Sequence, residues 1–216
     1  MKNKTLFRGF STAQKNELKS VMKVAKQCKY DSQHTKQVTK FALEIFDDLN
    51  ELHGMGAEER YYLLCASLLH DIGVNTEGSQ GHHKTALKII LNTPLLRFNQ
   101  KDRLIIGSIA RYHRHALPSL EHDHFKALEK TDREMVAHLA GILRVADGLE
   151  YSHNLRIRTT RTTFTRNKIV IRCWVKKEPY KEEIKSAIKK SDLLALSYER
   201  DVVFKVIKGE EFVGWS

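Results

Sequence analysis

The chain has 216 residues, 41% of them hydrophobic and 29% charged, and a formal net charge of +11. That length supports one good core with a small appended subdomain, and no run approaches the ~20 apolar residues a membrane span needs. Three cysteines (Cys28, Cys65 and Cys173) stand far apart with no C-x-x-C spacing, which excludes a disulfide framework or zinc finger and fits a reducing, cytoplasmic setting.

Ser11 with Gln14 forms a capping box that opens a helix to about Lys26. Its apolar face is Leu18, Val21, Met22 and Ala25, and Lys15, Lys19, Lys23 and Lys26 fall on the opposite stripe. After Tyr30-Asp31-Ser32, a second helix carries His34, Val38, Phe41, Ala42, Ile45 and Leu49 on one face, so His34 points to the core from the first turn. Gly54-Met55-Gly56 breaks the pattern, and a third helix from Ala57 to Leu69 delivers His70-Asp71 at its end. Gly73 to Gly81 reads as a polar loop. His82-His83-Lys84 opens a short helix through Leu91, and Asn99 to Asp102 begins another that ends at Tyr112-His113-Arg114-His115. His115, His122 and His124 read as solvent-facing loop residues.

Thr131 with Glu134 is a second capping box, starting a long helix to about Ser152 whose inner stripe is Val136, Ala140, Leu143 and Asp147. Beyond Tyr151 the character changes. Arg158–Thr165 and Lys168–Val175 are rich in β-branched residues and read as a hairpin, Tyr180–Ser191 as a helix and Asp201–Ile207 as one more strand. The reading is mainly α: a helical bundle over residues 1–155, then a small α+β subdomain over residues 156–216.

Charge is unevenly spread. Residues 1–40 hold ten Lys/Arg against Glu17 and Asp31, with Lys2, Lys4 and Arg8 at the start, and residues 155–190 hold twelve against Glu178, Glu182 and Glu183. The stretch between, 41–154, has twelve basic and sixteen acidic residues. Basic flanks around a neutral-to-acidic middle attract polyanions, so an anionic phosphate-containing small molecule is the expected partner. Nucleic acid fits the charge but no recognisable motif supports it, and the oligomeric state is left open.

His70-Asp71 follows the apolar run Leu63-Leu64-Cys65-Ala66-Ser67-Leu68-Leu69. A carboxylate entered from a buried helix costs several kcal/mol unless a cation meets it. His34 upstream and Asp147 downstream stand in similar core-facing settings. Two imidazoles and two carboxylates are an N/O set suited to a divalent transition metal or magnesium, not to a thiolate zinc site.

The order His34, His70-Asp71, Asp147 on three helices resembles the HD superfamily of metal-dependent phosphohydrolases. It is closer still to the helical C-terminal domain of the exopolyphosphatase/guanosine pentaphosphate phosphatase family. The stretches that carry the likeness are Tyr30-Asp31-Ser32-Gln33-His34, Ala66-Ser67-Leu68-Leu69-His70-Asp71-Ile72-Gly73, Ile109-Ala110-Arg111-Tyr112-His113-Arg114 and Leu139 to Leu149. The actin-like phosphatase domain that precedes this region in the family's enzymes is not part of the likeness. Where the family tends to read His-His-Lys-His-Ser, this chain reads His82-His83-Lys84-Thr85-Ala86, with Thr85 at a histidine position.

The resemblance implies an HD-type helical bundle and hydrolysis of a nucleotide or other phosphate ester or anhydride by a metal-activated water. A divalent ion (Mn, Mg, Fe, Co or Ni) would be held by His34, His70, Asp71 and Asp147. A second ion would use His83 and His113, with Asp71 bridging. Asp71 and His113 are the expected catalytic residues. Lys84, Arg111, Arg114 and Arg144 are the cations that could clamp phosphate oxygens, Arg by bidentate hydrogen bonds. The alternative reading is a nucleotide- or polyphosphate-binding regulatory module with little or no catalysis.

Overall fold

A computed structural model describes residues 10–208, apart from the side chains of 77, 79 and 80. Lys2, Lys4 and Arg8 lie outside the described residues. Helix α1 (Thr12–Gln27) starts at the expected capping box, with Ser11 Oγ accepting from Gln14 N and Gln14 Oε1 accepting from Ser11 N. Helix α2 (Ser32–Asp48) starts at Asp31, whose Oδ1 accepts from the backbone N–H of Gln33 and His34. A short turn of helix, α3 (Asn50–His53), ends at Gly54 with φ 63°, a left-handed stop that a glycine adopts without steric cost.

Helix α4 (Ala57–Leu69) is buried almost all round from Tyr61 onward, because α1, α2, α6 and α8 pack against it. It is the central element, and it ends at His70-Asp71. The segment expected as a polar loop is helical. Helix α5 (Val74–Asn92) runs from just after Gly73 and breaks only at Gly78 (φ 66°, ψ −167°), where one left-handed glycine takes up the whole change of direction. Helix α6 (Gln100–Arg111) is capped by Asn99, and a short α7 (Asp123–Lys126) follows.

Helix α8 (Lys130–Gly148) starts before the expected Thr131–Glu134 box and ends before Ser152, with Glu129 at its N-cap and no side-chain cap bond. The first turn is held from outside instead: Asp132 pairs with Lys101 at 3.0 Å and Arg133 donates to Leu128 O at 2.9 Å.

Strands β1 (Ile157–Phe164) and β2 (Lys168–Val175) form the expected antiparallel hairpin. Helices α9 (Lys181–Lys189) and α10 (Asp192–Tyr198) then cross over to β3 (Asp201–Ile207), which lies parallel to β2 in the order β1-β2-β3. The chain is therefore mainly α with a small α+β part.

The sheet's outer strand is covered by α2. Glu44 accepts from Thr159 Oγ1 (2.6 Å) and Thr160 N (2.9 Å), and Asp48 accepts from Thr162 N (2.7 Å), so carboxylates satisfy edge donors that would otherwise face water. Helices α9 and α10 lie on α8 at glycine contacts. A Cβ at Gly148 would stand 2.7 Å from Ala187 Cα, and one at Gly141 2.9 Å from Leu194 Cα.

Candidate metal centre

Five helices each bring a histidine or an aspartate to one point. His34 comes from the first turn of α2, His70 from the C-cap of α4, with Asp71 next to it, and His82 from the far side of the α5 kink. His113 stands just past α6, and Asp147 is the penultimate residue of α8. His34, His70 and Asp147 form one group of three converging ligand atoms; Asp71, His82 and His113 form another.

Asp71 faces both groups. Its Oδ2 lies 3.5 Å from His34 Nε2 and 3.5 Å from His70 Nε2, while its Oδ1 lies 3.0 Å from His82 Nε2 and 3.6 Å from His113 Nε2. Asp147 Oδ1 closes the first group at 3.3 Å from His34 Nε2 and 3.8 Å from His70 Nε2.

The tautomers follow from what the other ring nitrogens touch. His70 Nδ1 is 2.7 Å from Ser67 O, and His113 Nδ1 is 2.6 Å from Ala110 O. A carbonyl oxygen only accepts, so each Nδ1 donates and each neutral ring presents its lone pair at Nε2. Burial outweighs the nearby carboxylates and lowers the pKa of His70, and lowers that of His113 well below the ordinary value. His70 Nε2 is buried with no hydrogen-bond partner among the described residues.

The unpartnered lone pair of His70 Nε2 and the carboxylate oxygens 3.5 and 3.8 Å from it repel unless a cation lies between them. Burial alone would raise the Asp71 carboxyl, but His70, His82 and His113 together hold it below the usual carboxylate range. Asp147 is held well below that range, against burial, first by Lys190 and then by His34, His113 and His70. The donor set of four imidazoles and two ionised carboxylates therefore fits divalent metal.

His34 is set differently. Its ring stacks on His153 with centroids 3.8 Å apart and planes at 10°. His153 has φ 56° and its Nδ1 lies 3.1 Å from Asp31 Oδ2, so the residue that caps α2 also holds the ring that backs His34. Asp147 and Asp71 outweigh burial and raise the His34 pKa.

Five of the six residues expected at metal meet here: His34, His70, Asp71, His113 and Asp147. His83 does not. It joins neither group of converging ligand atoms, its ring lies 6.4 Å from that of His113 and 4.8 Å from that of His115, and His82 occupies the place expected for it. The Gly78 kink resets the helical phase, so the residue one position earlier points inward. Burial, then Arg111, His115, His82 and Arg114, push the His83 pKa down to about 3.

The four expected phosphate clamps separate. Arg144 is committed to structure: it binds both oxygens of Asp192 (3.0 and 2.9 Å) and donates to Tyr112 O (3.1 Å) and His115 O (3.3 Å), tying α10 and the end of α6 to α8. Lys84 and Arg111 line a cleft that none of the six clustered residues lines. Arg114 is half-buried and makes no ion pair within 4.0 Å among the described residues. His115 is exposed as expected, but His122 and His124 are half-buried, with ring nitrogens 2.8 Å from the Tyr112 hydroxyl and 2.9 Å from Ser108 Oγ.

Two residues at the centre carry no sequence signal of their own. Lys190, at the C-cap of α9, places its ammonium on Asp147 Oδ2 from a segment expected to be peripheral. His82 differs from its neighbour His83 only in helical phase.

No helix among the described residues is long and apolar enough to cross a membrane. Residues 17–195 match the family model described as Ppx/GppA phosphatase, domain III. That match covers most of the chain, including every residue of the cluster, and the chain belongs to the Ppx/GppA phosphatase domain III family.

Proposed function

We propose that this chain is an HD-type, divalent-metal-dependent phosphohydrolase acting on a nucleotide or another phosphate ester or anhydride. The observation that supports it most is the division of Asp71, with one oxygen toward His34 and His70 and the other toward His82 and His113. A carboxylate so divided is suited to bridging two cations. The first would be held by His34, His70, Asp71 and Asp147, the second by Asp71, His82 and His113.

Divalent ions bound there would supply Lewis acidity toward a phosphoryl oxygen and lower the pKa of water from 15.7 toward ~7. The chain's own groups supply the rest. The carbonyls of Ser67 and Ala110 fix the rotation and tautomer of His70 and His113, which orients ligands as outer-shell partners do. Lys190 holds Asp147 Oδ2 and so leaves Oδ1 for the centre. Arg114, free of carboxylates within ion-pair distance among the described residues, is the cation proposed to meet a phosphoryl oxygen.

The test is phosphate release from mononucleotides, guanosine tetraphosphate and p-nitrophenyl phosphate with Mn²⁺, Mg²⁺, Co²⁺, Fe²⁺ or Ni²⁺ added to chelator-treated protein. Metal-dependent release that falls by at least ~100-fold in Asp71→Ala and Asp147→Ala supports the reading. Tight nucleotide binding with no hydrolysis under any of these metals would favour a regulatory binding module. Release that survives both substitutions would place the activity elsewhere.

A further inference from the structure

Between α5 and α6 lies a cleft of about 630 Å³, lined also by α7 and the turn before it and by none of the six clustered residues. Arg111 forms its inner wall. The residue is only 6% exposed, its Nη1 has no hydrogen-bond partner, and no carboxylate lies within 4.0 Å of it among the described residues. A guanidinium carries five donors and stays charged, and removing it from water without a counter-ion costs several kcal/mol. The Tyr112 ring, 5.8 Å from Arg111 Cζ, offsets only part of that. Lys84 and Lys88, one turn apart on α5, line the same cleft and are exposed. Three cations thus converge on a concave surface whose deepest member lacks a partner.

The rest of the lining narrows the ligand. Leu87, Leu91 and Leu104 make its apolar lining, while Glu121 and Asp123 line it at exposed positions. A uniformly charged chain of phosphates would be repelled by those carboxylates and would leave the apolar lining unused. The volume lies in the ~300–1,000 Å³ range of small-molecule sites and far exceeds what one phosphate fills. A molecule with a single charged end, a flat apolar part and hydroxyl or amino donors matches all three surfaces.

We propose that this cleft is a second ligand site, separate from the histidine cluster, that binds a nucleoside monophosphate. The phosphate rests on Arg111, Lys84 and Lys88, the base lies along Leu87 and Leu104, and sugar or base donors meet Glu121 and Asp123. The proposal does not rest on hydrolysis at the metal centre.

The test is calorimetric titration of the whole, chelator-treated chain with AMP, GMP, adenosine and inorganic phosphate at low salt. AMP or GMP should saturate one site, and adenosine and inorganic phosphate should each bind more weakly than either nucleotide. Arg111→Met should weaken nucleotide binding by about tenfold or more, because a charge-assisted bidentate contact is lost. That variant should melt no lower than the unliganded parent, since it removes a buried cation without a partner. Lys84→Gln with Lys88→Gln, two exposed changes that leave the core intact, should weaken binding by an amount that shrinks as salt rises. Asp71→Asn should leave it unchanged. Absence of saturable nucleotide binding to the parent chain, or binding indifferent to both the arginine and the lysine changes, would overturn the proposal. Binding abolished by Asp71→Asn would do the same by placing the ligand at the histidine cluster.

Discussion

Lys190 Nζ contacts Asp147 Oδ2 across 43 positions of sequence, so the α9–α10 corner supplies a cation to the same carboxylate that faces His34 and His70. The Asp147 side chain is only 10% exposed. Its charge is therefore met from two sides, by the ammonium at Oδ2 and by imidazoles at Oδ1.

Removing the ammonium leaves a buried carboxylate short of one partner. Lys190→Met is expected to destabilise the metal-free protein by about 1–3 kcal/mol, less than a fully buried pair costs because Lys190 is partly exposed. Added divalent metal then has more charge to neutralise, so the rise in melting temperature on metal addition should be larger in Lys190→Met than in the parent. A variant that melts like the parent with and without metal would remove Lys190 from the account.

His82 and His83 offer a sharp contrast between neighbours. His82→Ala should lower the bound metal per chain and cut metal-dependent hydrolysis by about tenfold or more, as loss of one ligand to a catalytic ion does. His83→Gln should leave metal content unchanged, since His83 points toward His115. The reverse pattern, measured by elemental analysis on both variants, would show that the α5 phase is wrong.

Gly73 packs directly against the backbone of α5 at His82. A Cβ there would lie 2.3 Å from the His82 carbonyl oxygen and 2.9 Å from Thr85 Cβ, so the backbone of α5 must shift to admit one. Gly73→Ala should fold around the α4 core yet lose the His82 side of the centre, with metal content falling as in His82→Ala. Unaltered metal content would mean that α5 yields without moving His82.

Much of this was legible along the chain, for identifiable reasons. Ser11 with Gln14 caps α1 because the motif is local and solvent-exposed. His34, His70-Asp71 and Asp147 could be grouped because each completes an apolar stripe, which only a core-facing position explains. Local pattern fails where the partner is remote or the phase is broken. Gly78 interrupts α5 with a positive φ, and no periodicity carries across such a break to say whether His82 or His83 turns inward. Arg144 sits one turn from Asp147 and resembles a phosphate clamp, but its partner, Asp192, is 48 residues away. The Thr131–Glu134 box gives way to bonds with Lys101 and the Leu128 carbonyl, which hold Asp132 and Arg133 of the first turn of α8 from outside the helix.

Arg144 yields a prediction opposite in kind to that for the proposed metal ligands. Arg144→Lys keeps one charge but loses the fork that binds both Asp192 oxygens and two carbonyls. It should cost about 1–3 kcal/mol of stability. At a temperature where the variant is folded, the KM for a phosphate substrate should match the parent's. A raised KM with unchanged melting would restore Arg144 as a substrate clamp.

Asp71 is proposed to join two cation sites, one on each oxygen. The most direct measurement is the metal content of the chain after loading with Mn²⁺ and exhaustive dialysis, for the parent and for His82→Ala and Asp71→Ala. About two ions are expected per parent chain, one in His82→Ala and fewer than one in Asp71→Ala, the change that touches both triplets. A parent chain that holds no metal, or one whose metal content is indifferent to Asp71→Ala, would contradict the proposal.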